Sequence, residues 1–122
     1  MAFLRRDMAA RDSLEALEGD SSQLTTTPVN AFELFLGAWR SSRRESNMLK
    51  IMGLLDRLKM LDLDSEAAYE ASRVADALYR AGAPIGLQDT LVAGIALRHG
   101  EALVTRNVGH FGRVTGLRVE PW

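Results

Sequence analysis

The chain contains no cysteine, which excludes a disulfide scaffold, a thiolate metal site and a cysteine nucleophile. That absence fits a reducing cytoplasm, the expected location. No apolar run approaches the ~20 residues that span a bilayer, so no membrane partner is expected. The opening Met1-Ala2-Phe3-Leu4-Arg5-Arg6-Asp7 lacks the charged-then-apolar order of a signal peptide. There is no repeat and no Pro/Gly-rich linker, so the 122 residues are expected to form a single domain spanning 1–122. Such a domain buries a sizeable core without staples. Charge of one sign is also lacking: the formal net charge of −1 argues against non-specific wrapping of nucleic acid. Local clusters remain, with Arg40, Arg43, Arg44 and Lys50 together and Arg98, Arg106, Arg113 and Arg118 spread toward the C-terminus. Solvated helix faces explain such charges more often than ligands do.

What is present is an alternation of short strands and amphipathic helices. Met8–Leu17 reads as a short helix and Gln23–Thr26 as a strand. A helix starts sharply at Thr27-Pro28, where threonine caps free amides and proline loses nothing by lacking a donor. Val29, Phe32, Leu36 and Trp39 give it a core stripe. A second helix, Arg43–Leu58, places Met48, Ile51, Met52, Leu55 and Leu58 on one side. Met60–Leu63 is a strand candidate. Ser65–Ala81 is amphipathic through Ala68, Ala71, Val74, Ala75 and Leu78, and Gly82 ends it. Gln88–His99 is a helix closed by Gly100, and Ala102–Thr105 and Leu117–Val119 are strands around a turn over Asn107–Gly112. This alternation implies a parallel sheet covered on both faces. The functional cleft of such a sheet lies beyond the carboxyl ends of its strands.

Three polar features stand out of place. Glu33 sits among apolar neighbours, and Asn30, Glu33 and Gly37 share one helical face. Gly37 costs a helix interior ~1 kcal/mol relative to alanine, which suggests close packing on that face. The plain alternative for Glu33 is a carboxylate turned to solvent. Asp89 opens a run apolar nearly all round, where the helix macrodipole alone would stabilise a first-turn acid. Thr105-Arg106-Asn107-Val108-Gly109-His110 follows a strand at the sheet's carboxyl edge, where Asn107 or His110 would line a cleft. His99, at a helix end, is expected to complement the carbonyls there. No nucleophile elbow, Walker loop, dinucleotide glycine fingerprint or zinc spacing appears. Carboxylates converging on a sheet edge suit Mg²⁺ or Mn²⁺, which bridge to phosphates and activate water.

Three segments make the reading specific. Thr27-Pro28-Val29-Asn30-Ala31-Phe32-Glu33-Leu34-Phe35-Leu36-Gly37-Ala38 resembles the PIN-domain helix bearing the family's glutamate. Gly82 to Ala96 resembles the segment that sets an aspartate, here Asp89, before a small-residue helix. Leu103-Val104-Thr105-Arg106-Asn107-Val108-Gly109-His110-Phe111 is similar to the family's Thr-Arg-Asn turn. Leu117 to Trp122 resembles the tail of VapC-type members. The resemblance implies a three-layer α/β/α fold with a short parallel sheet and a Mg²⁺- or Mn²⁺-dependent endoribonuclease of a toxin–antitoxin system. Glu33 and Asp89 are then metal ligands, and Asn107 orients a metal-bound water or phosphate. Thr105, Arg106 and His110 contact substrate, with His110 standing where relatives often have an acid. The implied partners are RNA, a small VapB-like antitoxin and a second copy of the chain.

The family begins with a strand ending in an aspartate, whereas Phe3-Leu4-Arg5-Arg6-Asp7 matches the end of the helix that follows it. That strand and its acid are therefore expected before Met1. Two functional readings stay open: an active ribonuclease, and a catalytically impaired PIN module that binds antitoxin or RNA without cleavage. An unrelated small nucleotide-binding scaffold is disfavoured, because no glycine-rich phosphate loop follows a strand.

Overall fold

The computed structural model describes residues 25–105 and 107–121. The helix expected over Met8–Leu17, the start of the first strand and Arg106 lie outside them. The described elements run β1 (Thr25–Thr26), α1 (Pro28–Trp39), α2 (Arg44–Asp56), β2 (Lys59–Met60), α3 (Ser65–Arg80), α4 (Leu87–His99), β3 (Leu103–Val104), α5 (Val108–Phe111) and β4 (Val119–Glu120). β1 pairs with β2 and β3 with β4, both parallel as the alternation requires. Among the described residues these are two separate pairs, not one continuous sheet. The turn expected over Asn107–Gly112 contains the short helix α5.

Helix ends follow local chemistry. Thr27 Oγ1 accepts the Asn30 amide at 3.1 Å, and Pro28 enters α1 directly behind that cap. Gly100 closes α4 in the left-handed region at φ 67°, which glycine occupies without steric cost. Asp64 caps α3, its Oδ1 accepting the Ala67 amide at 2.8 Å while Arg98 Nε stands 3.3 Å from Oδ2. The Ala67 amide is the main cause holding this carboxyl below its ordinary 3.8; burial opposes it, and the Arg98 guanidinium adds to the lowering. A depressed folded value means stability that is present above pH 3.8 and is lost as pH falls through the folded value. Asp64→Asn keeps a competent cap but carries no charge. The melting-temperature advantage of the wild type over Asp64→Asn should therefore shrink between pH 5 and pH 3. An unchanged difference at pH 3 would show that the ionised carboxylate contributes nothing.

The core faces differ from those the spacing suggests. In α1 the inward side carries Asn30, Ala31, Glu33, Leu34 and Ala38, while Phe32 and Trp39 are 56% and 55% exposed. Leu34 and Ala38 instead pack with Ile51, Leu54 and Leu58 of the α2 arm and with Val104. Met52 is exposed and Leu54 takes its place inside. In α3, Ala67 is buried and Ala68 and Ala75 are exposed. Alanine suits either face, so periodicity did not separate them. Among the described residues no atom would lie within 4 Å of a Cβ at Gly37, so they do not supply the close packing expected there. It occurs at Gly94, where a Cβ would fall 2.5 Å from Ala71 Cβ and 2.6 Å from Ala71 N. His99 reaches past its own helix, with Nε2 3.2 Å from the Asp62 carbonyl oxygen. No described helix is long and apolar enough to cross a membrane.

Candidate active site

The described residues singled out in sequence follow β1 and β3: Glu33 lies on the helix after β1, and Asn107 and His110 follow β3, where His110 meets Asp89. α1 begins two residues after β1, and Glu33 lies in its second turn, only 9% exposed. The solvent-facing alternative for Glu33 does not hold. Asn30, one turn earlier on the same face, is 1% exposed, and its side-chain nitrogen Nδ2 is buried with no hydrogen-bond partner among the described residues. Val29, in the first turn of α1, packs against the core cluster that includes Val92, Ala93 and Ala96 of α4. That contact seats the start of Glu33's helix on the helix that Asp89 opens.

Asp89 occupies the first turn of α4 and is 8% exposed. Its backbone entry is set by Gly86 at φ 92°, a conformation L side chains rarely adopt. The Thr90 hydroxyl donates to the Gly86 carbonyl at 2.6 Å and locks the turn. The Asp89 carboxylate meets His110 Nδ1 at 3.1 Å. The same nitrogen stands 3.0 Å from Asn107 Nδ2, so its one proton serves Asp89 or its lone pair serves Asn107, not both. Thr105, 1% exposed, accepts the Asn107 amide with Oγ1 at 3.0 Å, which fixes the turn after β3. Phe111, fully buried, anchors α5 and meets the His110 ring edge-on at 5.9 Å.

Asp89 and Asn107 thus both meet His110 Nδ1, Thr105 fixes the turn that carries Asn107, and Glu33 lies on the neighbouring helix. The pairing of His110 with Asp89 was not read from sequence. The only signal was the three-residue spacing of Asn107 and His110, which places both on one face of a helical turn. In ligand type the described residues suit a hard divalent cation, since Glu33 and Asp89 are both buried oxygen donors. The Asn30 Nδ2 beside Glu33, without a partner among the described residues, marks a buried polar position that a bound water or phosphate oxygen would satisfy. Among the described residues no three His, Asp or Glu side chains gather closely enough to hold a metal by themselves.

Comparison with known proteins gives the family. The tRNA(fMet)-specific endonuclease VapC of Salmonella typhimurium is 34% identical over 103 residues, which cover 84% of this chain and 78% of that protein. The protein of the same name from Shigella flexneri is 36% identical over the same shares. The crystal structure of DNA-bound VapBC from Salmonella typhimurium superposes with a TM-score of 0.88 at 29% identity, over 99% of this chain and 97% of that one. The PIN domain model matches residues 1–117. The chain belongs to the PIN-domain family, among its VapC members.

Proposed function

We propose that this protein is a Mg²⁺- or Mn²⁺-dependent endoribonuclease, the toxin of a toxin–antitoxin pair. The observation that carries the reading is the seating of two carboxylates, Glu33 and Asp89, each less than a tenth exposed, near the carboxyl ends of parallel strands. Relatives named as VapC endonucleases and ribonucleases support the activity. VapBC complexes among the structural neighbours support a VapB-like antitoxin as partner. Assembly as a homodimer belongs to the same proposal.

Glu33 and Asp89 would hold the cation, which when bound lowers the pKa of a water and neutralises charge on a phosphoryl oxygen. The chain's own residues do the rest. His110 sets the orientation of Asp89, and Asn107 and Thr105 shape the turn against which a phosphate rests. Arg106, between them in sequence, supplies the charge complementary to that phosphate.

The test is incubation of the purified protein with tRNA and with single-stranded RNA. Cleavage should appear with Mg²⁺ or Mn²⁺, stop in EDTA and return when Mn²⁺ is restored. Binding without cleavage under all metal conditions would favour the second reading, an impaired module. The absence of a third acidic or histidine ligand among the described residues is what keeps that reading in play.

A further inference from the structure

Among the described residues, the corner between α1 and α2 carries positive charge offset locally only by Glu45. Arg40, Arg43 and Arg44 are all exposed, and Lys50 lies two turns past Arg43 on the same stripe of α2. Among the described residues none of these four forms an ion pair, whereas Arg73, Arg80 and Arg98 are each matched to a carboxylate. Glu45 is the only acid between Trp39 and Lys50. Scattered cations on a solvated helix need no explanation, but four clustered against one carboxylate repel each other in a protein whose net charge is −1.

The corner is also held in shape. Arg44 Nε donates to the Trp39 carbonyl at 2.8 Å, and its guanidinium lies 5.9 Å from the Trp39 ring centroid. The Ser41 hydroxyl donates to the Ala38 carbonyl at 2.7 Å and accepts from Asn47 Nδ2 at 3.0 Å. Between them opens a cleft of about 620 Å³ lined by Ser41, Ser42, Arg43, Arg44 and Ser46, together with Glu45. Trp39, half exposed, stands beside it as a flat face on which an unpaired base can stack. Arg40 is seven residues beyond Glu33, about 10 Å along the helix axis. A strand engaged at Glu33 therefore reaches the corner within a few nucleotides.

The geometry points to this corner as a docking surface for the RNA strand. Arg40, Arg43 and Arg44 take phosphates and Trp39 takes a base, outside the acidic site. The inference rests on the ribonuclease reading only for the class of ligand. A fluorescein-labelled single-stranded RNA of mixed sequence, titrated in EDTA across a salt series, tests it by anisotropy. Arg40→Ala/Arg43→Ala leaves the Arg44–Trp39 contact in place and should weaken binding roughly tenfold, lowering the salt slope by about 1.4. Arg40→Lys/Arg43→Lys should keep most of the affinity and the full slope. Equal affinity and slope for wild type and the alanine variant would overturn the inference. So would an alanine variant that loses only capture of a protein partner. Cleavage of the same RNA with Mn²⁺, scored separately on the wild type, keeps the two readings apart. RNA cut but bound independently of the corner sinks only the docking surface, and RNA bound through the corner but never cut sinks only the nuclease.

Discussion

Glu33→Gln should abolish most RNA cleavage while leaving the fold as it is. The side chain is 9% exposed in the second turn of α1, and glutamine matches its size and keeps one oxygen acceptor. What it removes is the negative charge offered to a divalent cation. Stabilisation of developing charge by a bound metal is worth several kcal/mol, so losing about 4 kcal/mol of it corresponds to roughly a thousandfold in rate. The measurement is single-turnover cleavage beside a thermal melt. A variant that melts like the wild type yet cleaves within a factor of three of it would remove Glu33 from the site.

Asp89→Asn should have the same effect on rate and sharpens the test, because Asp89 also faces His110 Nδ1 at 3.1 Å. A purely structural Asp89 would show its loss in stability. A metal-binding Asp89 shows it in cleavage and in Mn²⁺ affinity, which calorimetry reads without any RNA present.

The second large effect is on stability and has opposite signs at two glycines. Gly94→Ala would set a methyl 2.5 Å from Ala71 Cβ, 2.6 Å from Ala71 N and 2.7 Å from Ala71 Cα. These are mostly backbone atoms of a packed helix and cannot swing aside as a side-chain tip could. α3 and α4 must part, and with them the buried layer of Ala67, Val74, Ala93 and Ala96. Overpacking of this kind costs about 3 kcal/mol. The helix preference of alanine over glycine returns only ~1 kcal/mol. A net loss of about 2 kcal/mol lowers the melting temperature by roughly 6–12 °C for a domain of this size. Gly37→Ala meets nothing within 4 Å among the described residues, so only the propensity gain remains and the melting temperature should rise by a few degrees. If both substitutions shift it in the same direction, the close approach of α3 and α4 is wrong.

The contrast between these glycines shows where sequence reasoning stops. Both lie inside helices, and Gly37, beside Glu33, looked the more constrained. Which glycine faces a neighbouring backbone depends on how two helices meet, and no spacing within one helix contains that. The same limit explains Phe32 and Trp39. Their spacing makes a good apolar stripe, yet the helix turns it outward, because its other side buries Leu34 and Ala38 against α2 and seats Glu33.

Sequence by itself determined what local chemistry controls. Thr27-Pro28 started α1, Gly82 and Gly100 marked helix ends, and the alternation of short strands with helices required parallel pairing. The order of Glu33, Asp89 and the Thr105–His110 turn also identified the family, since those words are local and survive without coordinates. Tertiary structure alone decided which face of each helix is buried, that His110 reaches Asp89, and that Gly94 is the point of closest approach. Those outcomes depend on contacts between segments far apart in the chain, where total burial and steric fit outweigh the periodicity of any one element.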